Sequence, residues 1–65
     1  MTVQTPIGEI TADEKTLNML SIFAFDYAIH NEEQGYTALS EEGQNVANEI
    51  HKALSESGYY DCIRK

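Results

Sequence analysis

Asp26 and His30 stand four residues apart, the spacing at which a carboxylate on one helical turn can hold an imidazole on the next. Such a pair could work as an acid and base in a cleft. Catalysis would need a third group, and the sequence places none beside it; the pair reads as a solvent-facing contact that interrupts an apolar surface. Asn31 to Glu42 spans twelve residues, begins and ends with oxygen ligands and carries Glu33 third, which invites comparison with a calcium loop. The required sixth-position glycine is absent. Gly35 is fifth, Tyr36 sixth and Leu39 ninth, so the segment reads as an acidic connection. Cys62 is the only cysteine, which excludes an internal disulfide, and Arg64 lies close enough in sequence to lower a thiol pKa. With no histidine base adjacent in sequence, an inert thiol is expected.

Glu42, Glu49 and Glu56 recur every seven residues and so form a row along one side of a helix. The row is roughly 21 Å long at 1.5 Å per residue. A carboxylate row can imitate a nucleic-acid backbone, but duplex DNA would present about twelve charges over that length. Lys52 also falls within the row. Tyr36 and Tyr60 supply amphipathic rings of the kind enriched at binding hot spots, with Tyr59 reserved for a local capping contact.

Two helices must position these groups. Thr11-Ala12-Asp13-Glu14 has the capping-box pattern, with acidic residues where the helix dipole favours them, and predicts helix one over 12–33 with Gly35 just past its end. On a 100° wheel Leu17, Leu20, Phe23, Ala24, Tyr27 and Ala28 share one face. Met19, Ile22, Phe25 and Ile29 form a second, interrupted by Asp26. A helix apolar nearly all round is buried on more than one side. Ser40 is the expected cap of helix two over 40–57, whose face of Gly43, Val46, Ala47, Ile50, Ala53 and Leu54 is thin enough to admit another backbone. Gly58 is the expected left-handed stop, with Tyr59 folding back on Leu54. Residues 1–10 mix β-branched residues with Pro6 and Gly8 and read as an extended arm or at most an edge strand. Residues 58–65 form a short tail.

Leu39-Ser40-Glu41-Glu42-Gly43, followed by Val46-Ala47 and Ile50, resembles the Leu-Thr-x-Glu-Gly helix start of winged-helix regulator domains. The 38 residues before it hold no recognition helix or basic wing. The likeness is confined to about twelve residues, and that family is not adopted.

At 65 residues one small domain is expected, and at this size a single core is marginal without staples or self-association. No disulfide and no zinc-type ligand set is available, so association is the remaining device. The fold expected is all-α, an antiparallel two-helix hairpin completed by homodimerisation through Met19, Ile22, Phe25 and Ile29. The competing expectation is that Val3, Ile7, Ile10 and Ile63 cover that patch within one chain. Eleven acidic residues against four basic give a net charge of −7, which argues against nucleic acid or anionic membrane as a direct ligand and favours a basic protein. The start lacks a charged n-region and an apolar h-region, so a cytoplasmic location is expected. No cofactor or metal and no enzymatic activity is expected. In size and composition the chain resembles the small acidic accessory proteins of phages and mobile elements, many of them inhibitors of host proteins. That resemblance implies an interaction protein binding through Glu42, Glu49, Glu56, Tyr36 and Tyr60, the alternative being a DNA mimic.

Overall fold

Alternation in the first eleven residues builds a β-hairpin in place of the extended arm expected over 1–10. In the computed structural model, which describes residues 1–63, β1 (Thr2–Thr5) and β2 (Gly8–Thr11) pair antiparallel. Val3 lies opposite Ile10, and both turn towards the helices: Val3 is buried and Ile10 half-buried. The other face carries polar cross-strand pairs, Thr2 Oγ1 with Thr11 Oγ1 at 2.9 Å and Gln4 Nε2 donating to Glu9 Oε2 at 2.7 Å. A one-residue slip would send Val3 and Ile10 to water, so the pattern pins the register. Pro6 and Gly8, which weaken a strand interior, fall at the turn. Pro6 occupies its first central position and Gly8 adopts φ 121°, open to glycine alone. The all-α expectation is corrected accordingly: the molecule is mostly helical with a small antiparallel sheet.

Helix α1 (Glu14–Glu33) starts two residues later than expected because Asp13, rather than Thr11, is its cap. Asp13 Oδ1 accepts from the Thr16 N–H at 2.7 Å. That hydrogen bond holds the Asp13 carboxyl below the usual carboxylate range. A depressed folded-state pKa contributes stability that is present above the unfolded value and is lost as pH falls through the folded one. Asp13→Ala should therefore lower Tm at pH 7, with the gap to the parent closing in thermal melts near pH 2.

At the far end of α1, Gly35 is left-handed at φ 82°. The Tyr36 N–H donates to the Asn31 carbonyl at 2.8 Å and the Gly35 N–H to that of Glu32 at 3.1 Å. This is the paired bond pattern of a Schellman ending, and it turns the chain directly into α2 (Thr37–Ser57). The helix begins three residues before the expected cap. Ser40 is a buried residue of its first turn, and Tyr36 at the N-cap makes no side-chain capping bond. Gly58, at φ 80°, ends α2 with its N–H shared between the carbonyls of Leu54 and Ser55. The expected tail continues as a short helix, α3 (Tyr59–Ile63).

The two long helices pack as a hairpin. Val3, Leu17, Val46, Ile50 and Leu54 form its core, with Ile10, Ala12, Leu20, Ala24, Ala53, Tyr59 and Tyr60 against them. The open end of the helical hairpin is tied across. Ser57 Oγ donates to Glu14 Oε2 at 2.7 Å, and the Tyr60 hydroxyl donates to Asn18 Oδ1 at 3.3 Å. Burial, and then the neighbouring Tyr59, push the Tyr60 pKa above its ordinary value. No helix among the described residues is long and apolar enough to cross a membrane.

The face α1 turns to α2 differs from the wheel. Leu17, Ser21, Ala28 and Asn31 are its buried residues, Leu20 and Ala24 are half-buried, and Phe23 and Tyr27 are exposed. The helix is rotated by roughly 40° from the expected setting. The cause lies on α2. At Gly43 the two backbones come so close that a Cβ there would meet the Ala24 carbonyl oxygen at 2.8 Å. Only small side chains fit such a crossing, so Ser21, Ala24 and Ala28 face α2 and the aromatic rings are displaced to the sides. Ser21 and Asn31 can be buried because each bonds its own helix: Ser21 Oγ donates to the Asn18 carbonyl, and Asn31 Nδ2 to that of Tyr27, both at 2.7 Å.

Candidate functional site

Rotation of α1 leaves much of its apolar surface exposed. Met19, Ile22, Phe25 and Ile29 are 44–50% exposed. Phe23 at 58% and Tyr27 at 45% join them, although the wheel assigned both to the α2 interface. Between Met19 and Ile29 the only charged residue is Asp26, itself exposed. The molecule measures 38 × 25 × 15 Å.

The competing cover from within the chain divides. Val3 goes into the core against Leu17, Val46, Ile50 and Leu54, and Ile10 packs on the same cluster. Ile7, at the hairpin turn, stays 61% exposed beside Tyr27 rather than over Ile22 and Ile29. The side chain of Ile63 lies outside the described residues, as does Arg64 with its expected influence on Cys62; Cys62 itself is exposed.

On α2 the polar side faces solvent, with Glu42, Glu49 and Glu56 all exposed. The row is not a bare rod. Thr2, Val3 and Gln4 of β1 share a shallow hollow of about 230 Å³ with Glu49, Lys52, Ala53 and Glu56, so the hairpin flanks one half of the row and a lysine stands inside it. Tyr36, 58% exposed, projects at the junction of the two helices. Tyr60 is differently placed. It is half-buried, bonded to Asn18 and set edge-to-face against His51 and Tyr59, with ring centroids 6.0 and 5.7 Å apart. Its ring ties α3 to α1 and α2, so truncating it would disturb the fold as well as any surface.

Asp26 and His30 are both exposed on α1. The twelve-residue segment from Asn31 does not form a loop. Asn31 ends buried in α1, and Thr37 onwards is helix. No group of three or more His, Cys, Asp or Glu side chains among the described residues is placed to hold a metal ion. Millimolar calcium or EDTA should leave Tm unchanged, and a calcium-dependent rise of several degrees would reopen that chemistry.

One feature of the surface had no sequence signal. The hairpin turn overhangs the crossing of α1 and α2 and leaves an apolar groove of about 220 Å³ lined by Ile7, Ala24, Tyr27, Glu42, Gly43 and Val46. It depends on the docking of the β-hairpin. No protein family, curated protein or solved structure matches this chain.

Proposed function

We propose that the protein is a small non-enzymatic interaction module. It associates with a second copy through the outer face of α1, and it presents an acidic surface, fringed by Tyr36, to a basic protein whose activity it modulates. The observation that supports this is the half-exposed set of Met19, Ile22, Phe25 and Ile29 on a helix whose opposite side is already packed.

Magnitudes bound the self-association. Full burial of such side chains is worth about 1.5–3 kcal/mol each. They are already about half-buried, so four from each of two copies gain roughly 6–12 kcal/mol on pairing. Association costs at least about 4 kcal/mol, which leaves a dimer with a dissociation constant of about 1 μM or weaker. A two-fold arrangement with α1 against its twin keeps both copies of α2, and their carboxylates, on the outside. Asp26, which interrupts that patch, then pairs with His30 of either copy or stays hydrated at the rim.

Sedimentation equilibrium between about 10 μM and 1 mM tests the pairing. The weight-average mass should rise from that of the 7.3 kDa chain towards twice that value. Ile22→Glu should hold it at the monomer without lowering the helix signal. A monomer throughout, with a melting temperature independent of concentration, overturns the dimer. The basic-partner half of the reading rests on charge: seven net negative charges on 65 residues steer association with cations, and salt should slow its on-rate.

A further inference from the structure

We infer that a second copy of this chain pairs with α1 in antiparallel orientation, Lys15 of each copy meeting Glu33 of the other. The arrangement rests on the self-association proposed above and fixes its direction and register, which the exposed apolar patch alone leaves open.

On the side of α1 away from α2, Lys15, Met19, Ile22, Asp26, Ile29 and Glu33 follow one another in alternating steps of four and three residues, and all six are exposed. Such steps average about 3.5 residues, the period of a two-helix seam. At 100° per residue the six fall within about 80° of one another. They lie roughly opposite the buried Leu17, Ser21, Ala28 and Asn31. Phe23 and Phe25, both exposed, flank this stripe on its two sides.

Charge selects the direction. Aligned in parallel, two copies would set Lys15 on Lys15, Asp26 on Asp26 and Glu33 on Glu33, each a like-charge contact. Reversing one copy about the level of Ala24 sets Lys15 against Glu33, Met19 against Ile29 and Ile22 against Asp26, while each Phe23 meets its twin on one flank and each Phe25 on the other. The ends of α1 favour the same direction. Lys15, in the first turn, and Glu33, the last residue, each have the sign that the dipole of their own helix disfavours. An antiparallel neighbour brings its carboxyl end to Lys15 and its amino end to Glu33, so both charges find a dipole that suits them. Asp26 then faces Ile22 of the second copy, with His30 one turn along its own helix to offset the charge.

Sedimentation equilibrium of charge variants, together with distances between nitroxide labels, tests the arrangement. Lys15→Glu and Glu33→Lys should each weaken the dimer about tenfold, because each sets like charges together at both ends of the seam. The double variant, which exchanges the two charges, should recover the affinity of the parent. Bulk repulsion makes the opposite forecast for Glu33→Lys, which is less acidic than the parent and would pair more tightly. Helix content should not fall in either single variant, since each new charge suits the dipole of its own helix. In a Cys62→Ser background, labels on Glu32→Cys should lie about 25 Å apart across the dimer, whereas a parallel pair would leave little more than the helix spacing of about 10 Å. The short distance, indifference to either single substitution, or a double variant as weak as the single ones overturns the antiparallel seam and leaves self-association standing. A monomer at every concentration removes both.

Discussion

Gly43→Ala should destabilise the protein, although alanine is the better helix former. The added methyl would stand 2.8 Å from the Ala24 carbonyl oxygen, 3.0 Å from Tyr27 Cδ1 and 3.1 Å from Ala28 Cβ. The nearest of these is backbone, which cannot swing aside as a side-chain tip can. Relief requires the two helices to separate along the seam that buries Ala47 and Ile50. Overpacking of this kind costs about 1–3 kcal/mol. The gain in helix propensity returns at most about 1 kcal/mol. A net loss of up to about 2 kcal/mol corresponds to a Tm lowered by up to roughly 15 °C in a domain of this size. Thermal melts of Gly43→Ala, Gly43→Val and Gly43→Leu should fall in that order, following side-chain volume. A rise in Tm for the alanine variant would mean that the helices cross elsewhere.

Val3→Asp should have a comparable or larger effect, because the hairpin is part of the core rather than an appendage. Val3 is 4% exposed and packs with Leu17, Val46, Ile50 and Leu54. A carboxylate there either sits unpaired among aliphatic side chains or forces the hairpin off α2, and both routes forfeit several kcal/mol. The pH dependence identifies the route. If the hairpin stays docked, burial raises the pKa of the introduced carboxyl above its unfolded value. The neutral form is then tolerated below the unfolded pKa, and the penalty grows as pH rises through the folded one. The Tm difference from the parent should accordingly be smaller near pH 3 than at pH 7. Thr2→Asp, on the polar face of the same strand, is the control and should move Tm by little. If Val3→Asp melts like the parent at pH 7, the amino-terminal segment is dispensable for folding.

These two positions also mark what could be read from the sequence and what could not. The helices were legible because their ends carry local signals: acidic residues before α1 and a glycine after each helix. The seven-residue glutamate row and the exposed Met19, Ile22, Phe25 and Ile29 followed from helical period alone. The facing of α1 was not legible from α1. Its hydrophobic wheel favours Phe23 and Tyr27, and the turn towards Ser21 and Asn31 instead comes from the close approach at Gly43 on the other helix. Side-chain bonds from Ser21 and Asn31 to carbonyls of their own helix made those residues cheap to bury, a property invisible to a hydropathy scale. The β-hairpin is obscured in the sequence for a simpler reason. Pro6 and Gly8 count against a strand when they lie inside it, yet they make the turn when the strands end at Thr5 and begin at Gly8. The alternation Thr2-Val3-Gln4 against Glu9-Ile10-Thr11 was the available clue. Tyr60 stands out in the sequence as an amphipathic ring of the kind enriched at binding surfaces, whereas its partners, Asn18 and His51, come from other helices.

The ties across the open end of the helical hairpin, Ser57 to Glu14 and Tyr60 to Asn18, bear on the order in which the chain assembles. Each of the two hairpins joins segments adjacent in sequence, through two residues at Pro6-Ile7 and through three at Gln34-Gly35-Tyr36. Closing loops this short is entropically mild, and chains dominated by local pairing fold in microseconds to milliseconds. Long-range closure is left to Val3 on α2, which needs both hairpins in place first, and to the pair of ties, which need only the helical one. The kinetic barrier should therefore be crossed with the β-hairpin and α3 still undocked. On that ordering, the loss in Val3→Asp appears mainly as faster unfolding, with a refolding rate close to that of the parent.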